Sequence, residues 1–172
     1  MRFRVAVAAA SLAIYVALAV PTLAGNQGRG LDGQLVGFNE VPVVSTIATG
    51  TFEARVAPDG DSFDWTLTFQ DLESDSRQAH IHVGQPDVNG GISVWLCDSA
   101  TNPAPDPNVE LCPTRAGSVS GTADASDVVG PTGQLIMAGE FDELLEAIRA
   151  GNAYVNVHSS GVPSGEIRSQ VR

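Results

Sequence analysis

The sequence predicts a mainly β fold: an antiparallel β-sandwich or a Greek-key barrel of seven to eight strands with one short α-helix. Three observations carry this reading. Phe63, Trp65, Leu67 and Phe69 alternate with Asp64, Thr66 and Thr68. A period of two gives a strand one buried and one solvated face. Turn chemistry recurs between such stretches, as in Ala57-Pro58-Asp59-Gly60-Asp61, which suits a hairpin. Only one stretch has a helical period, with Phe141, Leu144, Leu145 and Ile148 falling at i, i+3, i+4 and i+7.

Taken in order, Gly25 to Gly33 is a Gly-rich, polar stretch that reads as a flexible lead-in, and the domain proper begins near Gln34. Leu35-Val36-Gly37 starts a strand that ends by Pro42, which has no N–H for a sheet ladder. From Thr49 to Val56, Phe52, Ala54 and Val56 alternate with Thr51, Glu53 and Arg55. The hairpin turn and the Phe63–Phe69 strand follow. A polar connection, Leu72 to Gln78, leads into Ala79-His80-Ile81-His82-Val83. Gly84 to Gly91 is a turn, after which Ile92, Val94 and Leu96 resume alternation; Trp95 is out of phase and should be partly exposed.

Pro103, Pro105 and Pro107 mark an irregular surface loop. Ser118 to Thr122 is strand-like, Ser126 to Val129 suits a single helical turn, and Gly130-Pro131-Thr132-Gly133 is a break. The helix at 140–149 has acids at its start, Arg149 at its end and Gly151 placed to cap it. Ala153 to His158 is a strand, Ser159 to Gly165 a turn, and Glu166 to Val171 the closing strand.

The first 24 residues carry a separate message. Arg2 and Arg4 form a basic n-region, Val5 to Val20 is apolar, and Thr22-Leu23-Ala24 offers small residues at the cut. The pattern predicts a secretory signal peptide over 1–24, hence a secreted or periplasmic protein with no membrane span in its mature form. Two of the nine basic residues and none of the 20 acidic ones lie in that segment, so seven arginines remain against 20 acids, a net charge of −13. Such a surface repels nucleic acid and anionic lipid. In an exported chain the pair Cys97 and Cys112 favours a disulfide. The alternative, two thiolates on copper or zinc, finds no histidine in the segment between them.

All three histidines fall in two alternating strands, as His80-Ile81-His82 and Tyr154-Val155-Asn156-Val157-His158. If Ile81, Val155 and Val157 face the core, then His80, His82 and His158 stand on the outer face of the sheet. Two imidazoles at i and i+2 are about 6.5–7 Å apart at Cα, close enough to tilt onto one ion. A third from a neighbouring strand completes a three-nitrogen surface site for copper or zinc. Glu166, Asn156 and Arg168 are the expected outer partners: Glu166 as added ligand or hydrogen-bond acceptor, Asn156 on the face of His158, and Arg168 paired with Glu166. The alternative keeps the histidines as a structural polar network.

The motifs Leu35-Val36-Gly37-Phe38-Asn39-Glu40-Val41-Pro42-Val43, Ala79-His80-Ile81-His82 and Gly151-Asn152-Ala153-Tyr154-Val155-Asn156-Val157-His158, with Gly165-Glu166-Ile167-Arg168, resemble the CHRD domain. This family takes its name from chordin, a secreted antagonist of bone morphogenetic proteins, and also occurs in bacterial exported proteins. The resemblance spans about Leu35 to Val171, within the β domain at 34–172. Val43 stands where the family usually has a second proline, and Ser169 where it often has glycine. The resemblance implies export and a binding role, with an extracellular protein or matrix partner as the alternative to a metal. His-x-His after an alternating strand is also similar to the copper strand of copper/zinc superoxide dismutase, which implies superoxide chemistry as a remote reading. No nucleophile elbow, phosphate loop, dinucleotide fingerprint or metalloprotease motif is present, so the chain reads as a non-catalytic module.

Overall fold

The computed structural model describes residues 29–172, so the proposed signal peptide lies outside the described residues. Eight strands are present among them: β1 (Gly30–Val36), β2 (Thr49–Val56), β3 (Ser62–Gln70), β4 (Ser76–Val83), β5 (Gly91–Cys97), β6 (Gly117–Asp124), β7 (Ala153–Ser159) and β8 (Ile167–Val171). They form one antiparallel sheet in the order β5-β4-β7-β8-β1-β2-β3-β6. The sheet curls until β5 and β6 approach without a ladder between them, a nearly closed barrel. The helix α1 (Phe141–Arg149) follows β6, and a three-residue 3₁₀ turn, Ala125–Asp127, stands at the predicted helical turn. Among the described residues no helix is long and apolar enough to cross a membrane.

The core occupies the face the alternation predicts. Phe52 and Val56 of β2, Phe63, Leu67 and Phe69 of β3, Ile81 of β4 and Val155 and Val157 of β7 are all buried. Leu144, Leu145 and Ile148 press the stripe of α1 into the same core, and the Phe141 ring meets Phe63 at 5.5 Å. Trp95 is half-buried, as its phase requires.

Two boundaries move. The lead-in at 25–33 is too long, because β1 begins at Gly30 and buries Leu31 against the core. Its glycines suggest flexibility, yet Gly33 sits there because the chain is crowded: a Cβ would lie 2.7 Å from Ser169 Oγ. Likewise Ser76 to Gln78, which reads as polar connection, belongs to β4, with a register shift between Ser76 and Gln78 against β7.

Cys97 and Cys112 are joined as a disulfide across a separation of 15 residues. In the chain-entropy picture such a closure removes about 3 kcal/mol of unfolded-state freedom. The Cys97→Ser/Cys112→Ser protein should therefore lose about 3 kcal/mol in urea unfolding, and an unchanged midpoint would refute this role.

Candidate metal centre

The centre is set by register. In the β4–β7 ladder His80 stands opposite Asn156, His82 opposite Tyr154 and His158 opposite Gln78. On the other side of β4, His80 faces Trp95 of β5. These pairings bring the three histidines to one patch on the face opposite the core. One ring nitrogen from each lies within 4.8 Å of those of the other two. His80 Nδ1 and His158 Nε2 are 3.2 Å apart. Two nitrogens held 2.0–2.1 Å from one tetrahedral ion sit about 3.3–3.4 Å apart, so this pair already has ligand spacing.

The rings are held from outside by aromatic contacts and backbone carbonyls. Trp95 meets His80 edge-on with centroids 4.3 Å apart, and Tyr154 stacks on His82 at 4.6 Å. His82 Nδ1 lies 3.0 Å from the carbonyl of Gly90, and His158 Nδ1 lies 2.9 Å from that of Pro163. A carbonyl only accepts, so His82 carries its proton on Nδ1 and keeps the lone pair on Nε2. Metal-binding imidazoles use the same device. The Nε2 atoms of His80 and His82 are buried without a hydrogen-bond partner.

Electrostatics keep the cluster neutral. Burial, then the neighbouring His158 and His82, pulls His80 from the usual 6.5 down to about 2. Burial brings His82 to about 4 against the opposing hydrogen bond that its Nδ1 donates to the Gly90 carbonyl, and burial also lowers His158. Three uncharged imidazoles sharing one buried space are good donors to a borderline cation and poor hosts for a proton. The three histidines could hold a metal ion.

The family model of the CHRD domain matches residues 31–171, from the first buried side chain of β1 to the last of β8. The chain belongs to this family. No curated protein and no solved structure matches it.

In this CHRD domain the site is not on the surface. His80 is fully buried, and His82 and His158 are 7% and 6% exposed. Alternation assigns the correct face, but loops cover it. The turn at 84–90 is tied down by Arg168, which donates to the carbonyls of Gln85 and Val88, and by Gln170, which donates to that of Gly84. The loop at 40–48 meets that turn where Asn89 Nδ2 donates to the Val41 carbonyl.

Glu166 does not join the histidines. Its Oε1 accepts from Thr46 Oγ1 and from the Glu73 N–H, both at 2.9 Å, so it anchors neighbouring loops. Nor does Arg168 pair with Glu166: it lies 3.4 Å over the Tyr154 ring and reaches into the 84–90 turn, with Glu40 as an acidic neighbour. Asn156 lies where its strand phase suggests, with Oδ1 3.1 Å from His158 Nε2.

Glu40 is the functional-site residue the sequence hides. It is buried, and desolvation raises its carboxyl to about 7 despite Arg168, the Val41 N–H and the Asn156 amide. Its position in the Glu-Val-Pro segment of a loop has no periodicity to reveal burial. Tyr154, whose hydroxyl accepts from the Gly90 N–H, was legible only as a strand residue.

Proposed function

We propose that this CHRD domain is an exported module that holds a transition metal, copper or zinc, through His80, His82 and His158. One observation supports this most: three buried, neutral imidazoles converge, and two present Nε2 atoms without partners. Leaving such an atom buried and unpaired costs about 1–3 kcal/mol, which a cation bound at His82 Nε2 removes. Burial also favours holding an ion over turning substrate over at it, because a catalytic ion keeps one position open.

Purified protein stripped with chelator and titrated with zinc or copper should take up about one equivalent. The His80→Ala/His82→Ala protein should take up none. Failure of the wild type to bind either ion sinks the metal reading and favours the alternative, a protein- or matrix-binding module with structural histidines. That second reading draws on Phe38, Val43 and Ile47, large apolar side chains exposed on the loop that covers the site. Retention of one equivalent by the double variant would place the ion elsewhere. Export is tested separately by the mature N-terminus, expected at Gly25.

A further inference from the structure

We propose that Asn156 completes the metal set with its amide oxygen, giving three nitrogens and one oxygen that select a divalent ion, zinc or copper(II), over copper(I). This inference rests on the metal-binding reading above and names a further ligand and the ion's oxidation state.

The first argument is spacing. His158 Nε2 lies 3.2 Å from His80 Nδ1 and 3.1 Å from Asn156 Oδ1. Donor atoms sharing one ion at about 2.0–2.2 Å stand about 3.1–3.5 Å apart. Two of the separations around this nitrogen already have that value.

The second argument is a shortage of protons. A neutral imidazole has one N–H. Around His158 two oxygens want it: Pro163 O beside Nδ1, and Asn156 Oδ1 beside Nε2. Whichever nitrogen carries the proton, the other turns a lone pair toward an oxygen lone pair. The imidazolium would satisfy both, but it would place a charge in a patch where His158 is 6% exposed and, among the described residues, no carboxylate joins the three histidines. His80 can donate to Nε2 from its Nδ1, yet this leaves Oδ1 unserved and His80 Nε2 still without a partner. A cation between Nε2 and Oδ1 removes the conflict.

The third argument fixes the amide. Reversing Asn156 would place its NH2 beside His158 and dissolve the conflict without a metal. Glu40 opposes this, because its carboxyl and Asn156 Nδ2 crowd the same point beside Gly165. A reversed amide would aim Oδ1 toward that acid, a repulsive contact while the carboxyl is ionised. Gly165 makes the approach possible. It has φ +124°, and a Cβ there would collide with Glu40 Oε1 and stand 2.8 Å from Asn156 Nδ2. Glu40 is thus a positioning residue, and the orientation of Asn156 follows from its chemistry.

An amide oxygen is a hard donor. It suits zinc and copper(II), while copper(I) favours sulfur and low coordination; among the described residues no cysteine belongs to the cluster and Met137 is exposed. The test compares wild type with Asn156→Leu, which keeps the volume and removes the oxygen. In competition with a chromophoric chelator, the variant should bind zinc and copper(II) at least tenfold more weakly. Its copper(I) affinity should change less than threefold. A variant that keeps zinc within threefold, or loses copper(I) as strongly as zinc, overturns the inference.

A measurement on the wild type needs no variant to fold. Saturating zinc should shift the side-chain NH2 resonances of Asn156 in ¹⁵N NMR, as its oxygen binds the ion. Resonances that stay in place at saturation overturn the inference, whereas a wild type that takes up no ion fails the underlying metal reading instead.

Discussion

Between pH 6.5 and 4.5 the metal-free protein should lose about 2–3 kcal/mol of stability. His80 and His82 have folded values near 2 and 4 against 6.5 for the free side chain. In this window the unfolded chain takes up protons at both and the native protein does not. Stability therefore falls with pH, by about 4–5 kcal/mol for the pair at about 1.36 kcal/mol per unit. His158, also lowered, adds in the same direction. Glu40 opposes them. Its native carboxyl titrates near 7 against an ordinary 4.5, so the native protein holds the extra proton and acidification favours it by about 2 kcal/mol. Below pH 4.5 the unfolded Glu40 is protonated too and this offset stops growing, while the loss from His80 continues. Urea unfolding in chelator at pH 6.5, 5.5 and 4.5 measures the slope. Stability that is flat or rising on acidification would mean that the histidines are already charged or solvated in the folded protein.

That slope depends on burial, the property of the site least legible in the sequence. Alternation shows which side of β4 and β7 each histidine leaves from, since a one-residue slip would turn Ile81 and Val155 out of the core. That the two strands pair is a matter of sheet order, which alternation alone does not give. What covers the outer face obeys no period. The turn at 84–90 and the carbonyls of Gly90 and Pro163 act through backbone atoms, which every sequence supplies equally. Gly, Pro and Asn mark these stretches as turns without saying which way they fold back. Glu166 misled for the same reason. Its phase with Arg168 suggests a strand pair, but it precedes β8 and turns toward Thr46 and Glu73. Glu40 shows the reverse case, a loop acid driven inside because Arg168 and Asn156 wait there. Cys97 and Cys112 were legible because a pair of cysteines in a chain that reads as exported has few other expected fates.

Arg168→Ala should be the most damaging single change outside the core, costing about 3–5 kcal/mol. Arg168 is 1% exposed. Its guanidinium donates to the carbonyls of Gln85 and Val88 and to the side-chain oxygens of Asn89 and Gln170, while its carbon stands 3.4 Å over Tyr154. Alanine leaves four acceptors without this donor and Glu40 without its nearby cation. The loss should concentrate in the 84–90 turn, because the guanidinium is what fastens that turn to β8. Arg168→Lys separates charge from geometry. Lysine keeps the positive charge near Glu40 but cannot reproduce the planar fork or its stacking on Tyr154, so about half the penalty should persist. Urea midpoints for the three proteins decide the matter. If lysine restores full stability, the contribution is charge alone. If alanine costs less than about 1 kcal/mol, water serves these carbonyls as well as the guanidinium does, and the turn does not depend on Arg168 to close over the histidines.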